Sequence, residues 1–341
     1  MPGDLTSVLA AAMCGAFVTA AEPVIIPLLR RAAVDVPNIR SSHSVPTPRG
    51  GGAPVAVGLV AAALLVHGTV AVTFAIAVAA FAAIGFADDL TGLPAGRRLV
   101  MQALASLAIA GVLVSRTGLP PAVMAAAAVI VAAWLIGFVN AFNFMDGVNG
   151  ISAAHALIGG AAYACLGWWR HDSFLVAAGA AVAAVALAFL PWNAVRARVF
   201  LGDVGSYGLG VALAVLAACS VIRGIPPEAA LAPLALYLAD TGWTLQRRIR
   251  GGERVFEAHR SHTYQQLCDS GWSHQRVTTA TAMVTATLCL LGTASLTGHP
   301  ALRAGADLAG LCLLATYLRS PVLVGRAPAL AEAVALAEAA G

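Results

Sequence analysis

Apolar runs of membrane-crossing length follow one another along almost the whole chain, and they leave it one kind of fold: helices side by side in a bilayer. A helix crosses the hydrocarbon with about 20 residues, range about 17–25. It also satisfies its own backbone groups there, as an open strand cannot. Between polar breaks the sequence gives eleven such runs, at 5–29, 53–67, 69–87, 99–115, 121–139, 151–169, 173–190, 205–222, 228–245, 277–297 and 301–318. The break at His67-Gly68 is narrow, but a merged helix would be too long for a bilayer. The expected fold is therefore all-α, a polytopic transmembrane bundle forming one domain over 1–341. Its longest connection is 246–276, and 320–341 is a short tail. Composition agrees: 60% of residues are hydrophobic and 11% charged, against roughly 25% charged in an average soluble domain. The first run has no basic leader and no clear cleavage site, so it is expected to be a retained span.

All 20 basic residues are arginine, and 14 of them fall on the connections after runs 1, 3, 5, 7 and 9. The positive-inside bias places those connections in the cytoplasm, the N-terminus outside and the C-terminus inside. Nearly every polar cluster lies on the same five connections. The six cysteines form no Cys-x-x-Cys pair and read as small buried hydrophobes.

The first connection carries Arg40, His43 and Arg49 ahead of Gly50-Gly51-Gly52. The cations can bond phosphate, and consecutive glycines would let backbone N–H groups approach an anion. A basic loop that only enforces topology reads the same way. The third run ends in Asp88-Asp89, a costly pair at a membrane helix end unless a cation compensates it. Such a pair suits Mg²⁺ and phosphate, although two solvated carboxylates capping a helix are common. The fifth run ends with Asn140, Asn143 and Asp146, which share a face if the helix continues; they could bind a metal-diphosphate or glue helices together. The seventh connection holds Asn193 and then Gly202-Asp203, where Asp203 is either a plain helix cap or a metal ligand. The ninth holds His259, Arg260 and His262, which could bind phosphate or a pyrimidine, with His262 as acid or charge donor. The spacing also resembles a zinc motif, but no third or fourth ligand is near.

In this order the five clusters resemble the polyprenyl-phosphate N-acetylhexosamine-1-phosphate transferase superfamily, glycosyltransferase family 4, over about residues 35–266. Pro37-Asn38-x-Arg40, His43, Arg49 and His259-Arg260-x-His262-x-Tyr264 are most similar to its WbpL-type O-antigen branch. The resemblance implies that Asp88 and Asp89 serve catalysis or the lipid phosphate, with His262 beside them as a catalytic group. It implies that Asn143 and Asp146 lie near the nucleotide diphosphate and metal, and that Asp203 is the principal Mg²⁺ ligand, with Asp146 assisting. Arg40, His43, Arg49, Asn193, His259 and Arg260 then bind substrate. Thr91-Gly92 and Asn149 stand where other branches carry charged residues, which argues against a muramyl-pentapeptide substrate.

The implied reaction is attack by a polyprenyl-phosphate oxygen on the β-phosphorus of a UDP-sugar, releasing UMP, with a covalent aspartyl phosphate as the alternative route. The cofactor expected is Mg²⁺, with Mn²⁺ able to substitute. The partners expected are a UDP-N-acetylhexosamine, undecaprenyl or another polyprenyl phosphate, the lipid bilayer of the inner (plasma) membrane and a second copy in a homodimer, with no nucleic acid. The active site would face the cytoplasm. Two rivals weigh less. A transporter would place its charges at span centres and on both faces. A CDP-alcohol phosphotransferase needs a motif that Asp146-Gly147 does not continue.

Overall fold

The computed structural model describes residues 2–37, 45–66, 68–253 and 259–325. Arg40, His43 and the tail beyond 325 lie outside the described residues. The elements in chain order are α1 (Pro2–Ala32), β1 (Val34–Asp35), β2 (Thr47–Pro48), α2 (Gly52–Leu65), α3 (Thr69–Thr91), α4 (Ala95–Val114) and α5 (Pro121–Phe144). They continue with α6 (Ile151–Arg170), α7 (Ser173–Asn193), α8 (Gly202–Ile222), α9 (Pro227–Leu231), α10 (Ala235–Arg250), α11 (Thr263–Asp269), α12 (His274–Gly292) and α13 (Pro300–Val324).

Nine helices among the described residues are long and apolar enough to cross a membrane, and the chain is a multi-pass membrane protein. Two of the eleven expected spans differ from a plain crossing helix. The second, α2, has 14 residues, about 21 Å at 1.5 Å per residue, short of the hydrocarbon thickness. The ninth is broken: α9 gives way to a 3₁₀ turn at Ala232–Leu234 before α10. Pro233 lies in that turn and denies the ladder a donor. The lower half, α10, is the least apolar of the long helices and carries Asp240, Arg247, Arg248 and Arg250.

The core is α8. Of its apolar window 89% is buried, against 11% for α13, which lies at the lipid-facing edge. Glycine and alanine make this possible, because helices in lipid associate through close backbone packing more than through a hydrophobic drive. A Cβ on Gly52 would lie 2.1 Å from the Gly205 Cα, and one on Gly85 would lie 2.1 Å from the Asp203 carbonyl oxygen. Both α2 and α3 therefore rest directly on the first turn of α8. A second contact of this kind joins α6 and α7 through Gly160 and Gly179. Glu22 on α1 is fully buried with neither carboxyl oxygen hydrogen-bonded, and nothing in the structure explains it.

The two-residue ladder pairs Val34 with Pro48 and Asp35 with Thr47, antiparallel. Arg49 then bridges to Phe200 in parallel. The first and seventh connections are thereby stitched together at the end of the bundle where α8 begins.

This packing predicts that Gly52→Ala lowers the Tm of the detergent-solubilised protein, overpacking costing about 1–3 kcal/mol. Gly111→Ala on α4, which meets nothing within 4 Å, leaves the Tm unchanged or raised.

Candidate functional site

The first turn of α8 leaves backbone N–H groups without helical partners, buried inside the protein. Asp89 supplies the acceptors. One carboxyl oxygen accepts from Asp203 N–H at 3.1 Å and the other from Val204 N–H at 2.9 Å. Arg49 donates to the Asp89 backbone carbonyl and brings Nε to 3.8 Å from the carboxylate. Asp89 is 5% exposed, and both its oxygens are committed to α8.

The glycine triplet does not act as an anion cradle. Gly50 and Gly51 donate to the Phe200 carbonyl at 3.2 and 3.0 Å, and Gly52 to the Leu201 carbonyl at 2.8 Å. These N–H groups are spent on the 199–201 segment, and glycine is required at position 52 because α2 and α8 nearly touch there.

Asp88, one residue earlier, is rotated away from Asp89. It accepts from Leu93 N–H at 2.7 Å and pairs with Arg98 of α4 at 2.6 Å. Its carboxylate also comes within hydrogen-bonding reach of the Asp203 carboxylate. Asn143 at the end of α5 donates to Asp203 Oδ1 at 2.7 Å and to Ser206 Oγ at 2.9 Å. Four elements thus converge on one point: α3, α4, α5 and α8.

Three carboxylates, Asp88, Asp89 and Asp203, stand here against two guanidiniums, Arg49 and Arg98. Adjacent carboxylates stay together only with a shared proton or a cation between them. The donors are hard oxygens, and Mg²⁺ takes one or two carboxylates and completes its shell with water and phosphate, so the residues fit that ion. No group of three or more His, Cys, Asp and Glu side chains has metal-holding geometry among the described residues.

Asp146 does not continue the face of Asn140 and Asn143, because α5 ends at Phe144. Asn140 turns to Gln102 and the Ile136 carbonyl at 2.7 and 2.8 Å, joining α5 to α4 as interhelical glue. Asp146 sits in the 145–150 loop beside Ser152. Burial pushes its carboxyl up to about 6, with the Asp89 charge adding to the rise.

That loop is held from several sides. The Tyr264 hydroxyl donates to the Phe144 carbonyl at 3.0 Å and lies where a side chain on Gly147 would have to go. Asn193 accepts from Gly150 N–H at 2.7 Å and donates to the Val199 carbonyl at 3.0 Å. Expected to bind substrate, Asn193 instead is buried and spends its amide holding the 145–150 loop to the 194–201 loop. Thr278 of α12 donates to the Asn149 carbonyl at 2.8 Å.

The ninth connection folds back over the same end. His262 is 3% exposed, and its Nδ1 lies 3.3 Å from Asp240 on α10. The His259 ring stands 5.0 Å from that of His262. Burial, with His262 and Arg248 nearby, lowers His259 to about 4. It is therefore a neutral hydrogen-bonding group at neutral pH. Arg260 pairs with Asp269 of α11 at 2.9 Å.

Two hollows open at this end. One of about 510 Å³ is lined by Arg98, Asn143, His259 and His262 on its polar side and by Leu99, Ile136 and Leu245 on its apolar side. The other, about 1120 Å³, is lined by Arg30, Arg196, Arg198, Asn149, Phe200 and His274. Arg98 and Asp240 were not singled out from sequence. Arg98 was one arginine of a pair counted for topology, and Asp240 is a lone acid inside an apolar run that means nothing until His262 folds onto it.

The profile of glycosyl transferase family 4 matches residues 71–221, which include Asp88, Asp89, Asn143, Asp146, Asn193 and Asp203. A decaprenyl-phosphate N-acetylglucosaminephosphotransferase of Mycobacterium leprae is 32% identical, over 73% of this chain and 73% of its own length. The Mycobacterium tuberculosis protein of the same name is 31% identical, over 76% and 74%. A phospho-N-acetylmuramoyl-pentapeptide-transferase of Enterococcus faecalis is 32% identical over a shorter stretch, 42% of this chain and 44% of its own. Five motifs in order, an acidic cluster at one end of a membrane bundle and relatives matched over most of their length agree: the chain belongs to glycosyl transferase family 4, the polyprenyl-phosphate N-acetylhexosamine-1-phosphate transferase superfamily.

Proposed function

We propose that the protein transfers an N-acetylhexosamine-1-phosphate from a UDP-sugar to undecaprenyl or another polyprenyl phosphate, with Mg²⁺, releasing UMP and starting a lipid-linked envelope glycan. The observation that carries this is the meeting of Asp88, Asn143 and Asp203 beside a hollow lined by Arg98, His259 and His262. Phosphoryl transfer depends on alignment and charge neutralisation, and these are the groups such a transfer uses. The mycobacterial relatives, named for decaprenyl phosphate and N-acetylglucosamine, support the acceptor class and make UDP-N-acetylglucosamine the first donor to try.

In this reading the smaller hollow takes the reacting phosphates. Its apolar side, between α4, α5 and α10, admits the prenyl chain from the bilayer. The larger, basic hollow has room for the nucleoside end. Asp203 would hold Mg²⁺ with Asp146 assisting, and the ion would supply positive charge to the diphosphate. Arg98 presents donors to the phosphate oxygens and His262 a ring nitrogen to the hollow, while Asn143 fixes the Asp203 carboxylate. Asp88 can take a proton from the acceptor phosphate only by parting from Arg98. With the 2.6 Å pair in place, its charge is better used to hold Arg98 at the wall. Both Asp89 oxygens accept from the first turn of α8, so its role is structural, and one-step transfer is the route proposed. The arginine-rich connections share the active end, which supports a site that faces the cytoplasm from a plasma membrane.

The direct test is UMP release from purified protein given undecaprenyl phosphate, Mg²⁺ and a panel of UDP-N-acetylhexosamines. Activity should vanish with a chelator and return with Mg²⁺ or Mn²⁺; silence with every donor would sink the assignment. Asp203→Asn is expected to lower kcat by at least about 100-fold, whereas Asp89→Asn should chiefly lower Tm, a lost helix cap costing about 0.5–2 kcal/mol. Incubation with a UDP-sugar labelled in the β-phosphate, without acceptor, should leave no label on the protein, and a stable labelled protein would overturn the one-step route. Sidedness is checked in cells with a membrane-impermeant thiol reagent. Arg116→Cys should react in intact cells, and Arg97→Cys only after they are opened.

A further inference from the structure

Asp240 sits fully buried on α10, where an ionised carboxyl needs compensating donors. Four reach it from three elements. Thr263 N–H at 2.9 Å, His262 Nδ1 at 3.3 Å and the Thr244 hydroxyl at 3.3 Å share one oxygen; the Tyr317 hydroxyl of α13 takes the other at 2.9 Å. A carboxylate only accepts, so the His262 nitrogen facing it carries a hydrogen and the neutral ring is the Nδ1–H tautomer. Nε2 is then the nitrogen left for the hollow that His262 lines. Around the ring stand His259, Phe144 and Tyr264 at 5.0, 6.2 and 5.8 Å between centroids. Arg98 shares the wall of the hollow, and Arg247, Arg248 and Glu253 lie behind His259.

We infer that Asp240 is a positioning residue for the transfer: it fixes the tautomer and direction of His262 so that the Nε2 lone pair faces the hollow, where it can take a proton from the acceptor phosphate. This rests on the transferase reading above. A carboxylate behind an imidazole sets which nitrogen carries the proton; removing such a partner from a metal-bound histidine costs on the order of 10–100-fold in activity, and an effect of that order is expected here. The same carboxylate ties the 259–263 segment to α10 and to α13, which brings the last described helix into contact with the site.

The experiment uses full-length protein carrying ¹⁵N-histidine, with the His262 signals assigned by loss in His262→Gln. Wild-type His262 should report the Nδ1–H tautomer; an Nε2–H ring in the wild type overturns the inference without any variant. Asp240→Ala should lose that tautomer preference and lower kcat for UMP release by about 10–100-fold, with the donor KM little changed. Asp240→Asn, whose amide oxygen can stand between Thr263 and His262, should keep the tautomer and stay within about threefold of wild-type kcat. Tyr317→Phe, which removes only the tie to α13, should keep both. A folded Asp240→Ala protein with wild-type kcat would overturn the inference, as would a large loss in Asp240→Asn with the tautomer kept. If the wild type releases no UMP, the transferase reading fails, while the tautomer still reports whether Asp240 sets His262.

Discussion

Everything at the active end hangs on the junction between Asp89 and the first turn of α8. A helix that begins inside a membrane protein has orphan N–H groups and little water to satisfy them. Asp89 accepts two of them at once, and its negative charge lies at the positive end of the helix dipole. The contact needs α3 close enough for a carboxylate to span the gap. Gly85 makes that approach possible, since any side chain there would strike the Asp203 carbonyl. Gly202, at φ +73, places its missing side chain where the Asp89 carboxylate lies, 2.7 Å from Oδ2. The clasp and the glycines around it form one device.

Once Asp89 is fixed, its neighbour has little freedom. Successive helical residues are turned about 100° apart, so Asp88 cannot also face the end of α8. It turns to Arg98 and to the Asp203 carboxylate, at the edge of the hollow. The adjacent acids, which look alike in the sequence, thus divide the work. One is a buried cap that anchors the core helix; the other holds a cation at the wall of a site. Arg49 lies against the first and Arg98 pairs with the second, so each of the two carboxylates has an arginine partner.

The spans were legible because hydropathy is a local property and the bilayer sets their length. The gathering of clusters at one end was legible too, because alternating connections must share a side. Asp203 and Asn143 could be picked out on those grounds and do meet in space, at 2.7 Å. Other features needed the third dimension. The glycines at 50–52 read as a phosphate loop, yet their N–H groups serve the carbonyls of Phe200 and Leu201. Nothing local distinguishes a glycine that binds an anion from one that admits another helix. Asn140 and Asn143 look equivalent on a helical face, but one meets α4 and the other α8. The broken ninth span was hidden because α9 and α10 together have the length of a crossing helix.

The polar groups at this end sort by whether their hydrogen bonds close on the protein. Asp89, Asn193 and Tyr264 are satisfied by backbone partners. A group with every bond closed rigidifies its surroundings and has little left to offer a ligand. Asn143, Arg98, His259 and His262 differ: each is held on one side and reaches the wall of the hollow on another. Held groups lose little further freedom when a phosphate arrives, so their donors act at full strength on the developing charge. On this view the buried network keeps a few exposed edges from moving, and much of the site's chemistry is decided one layer behind the atoms that touch substrate.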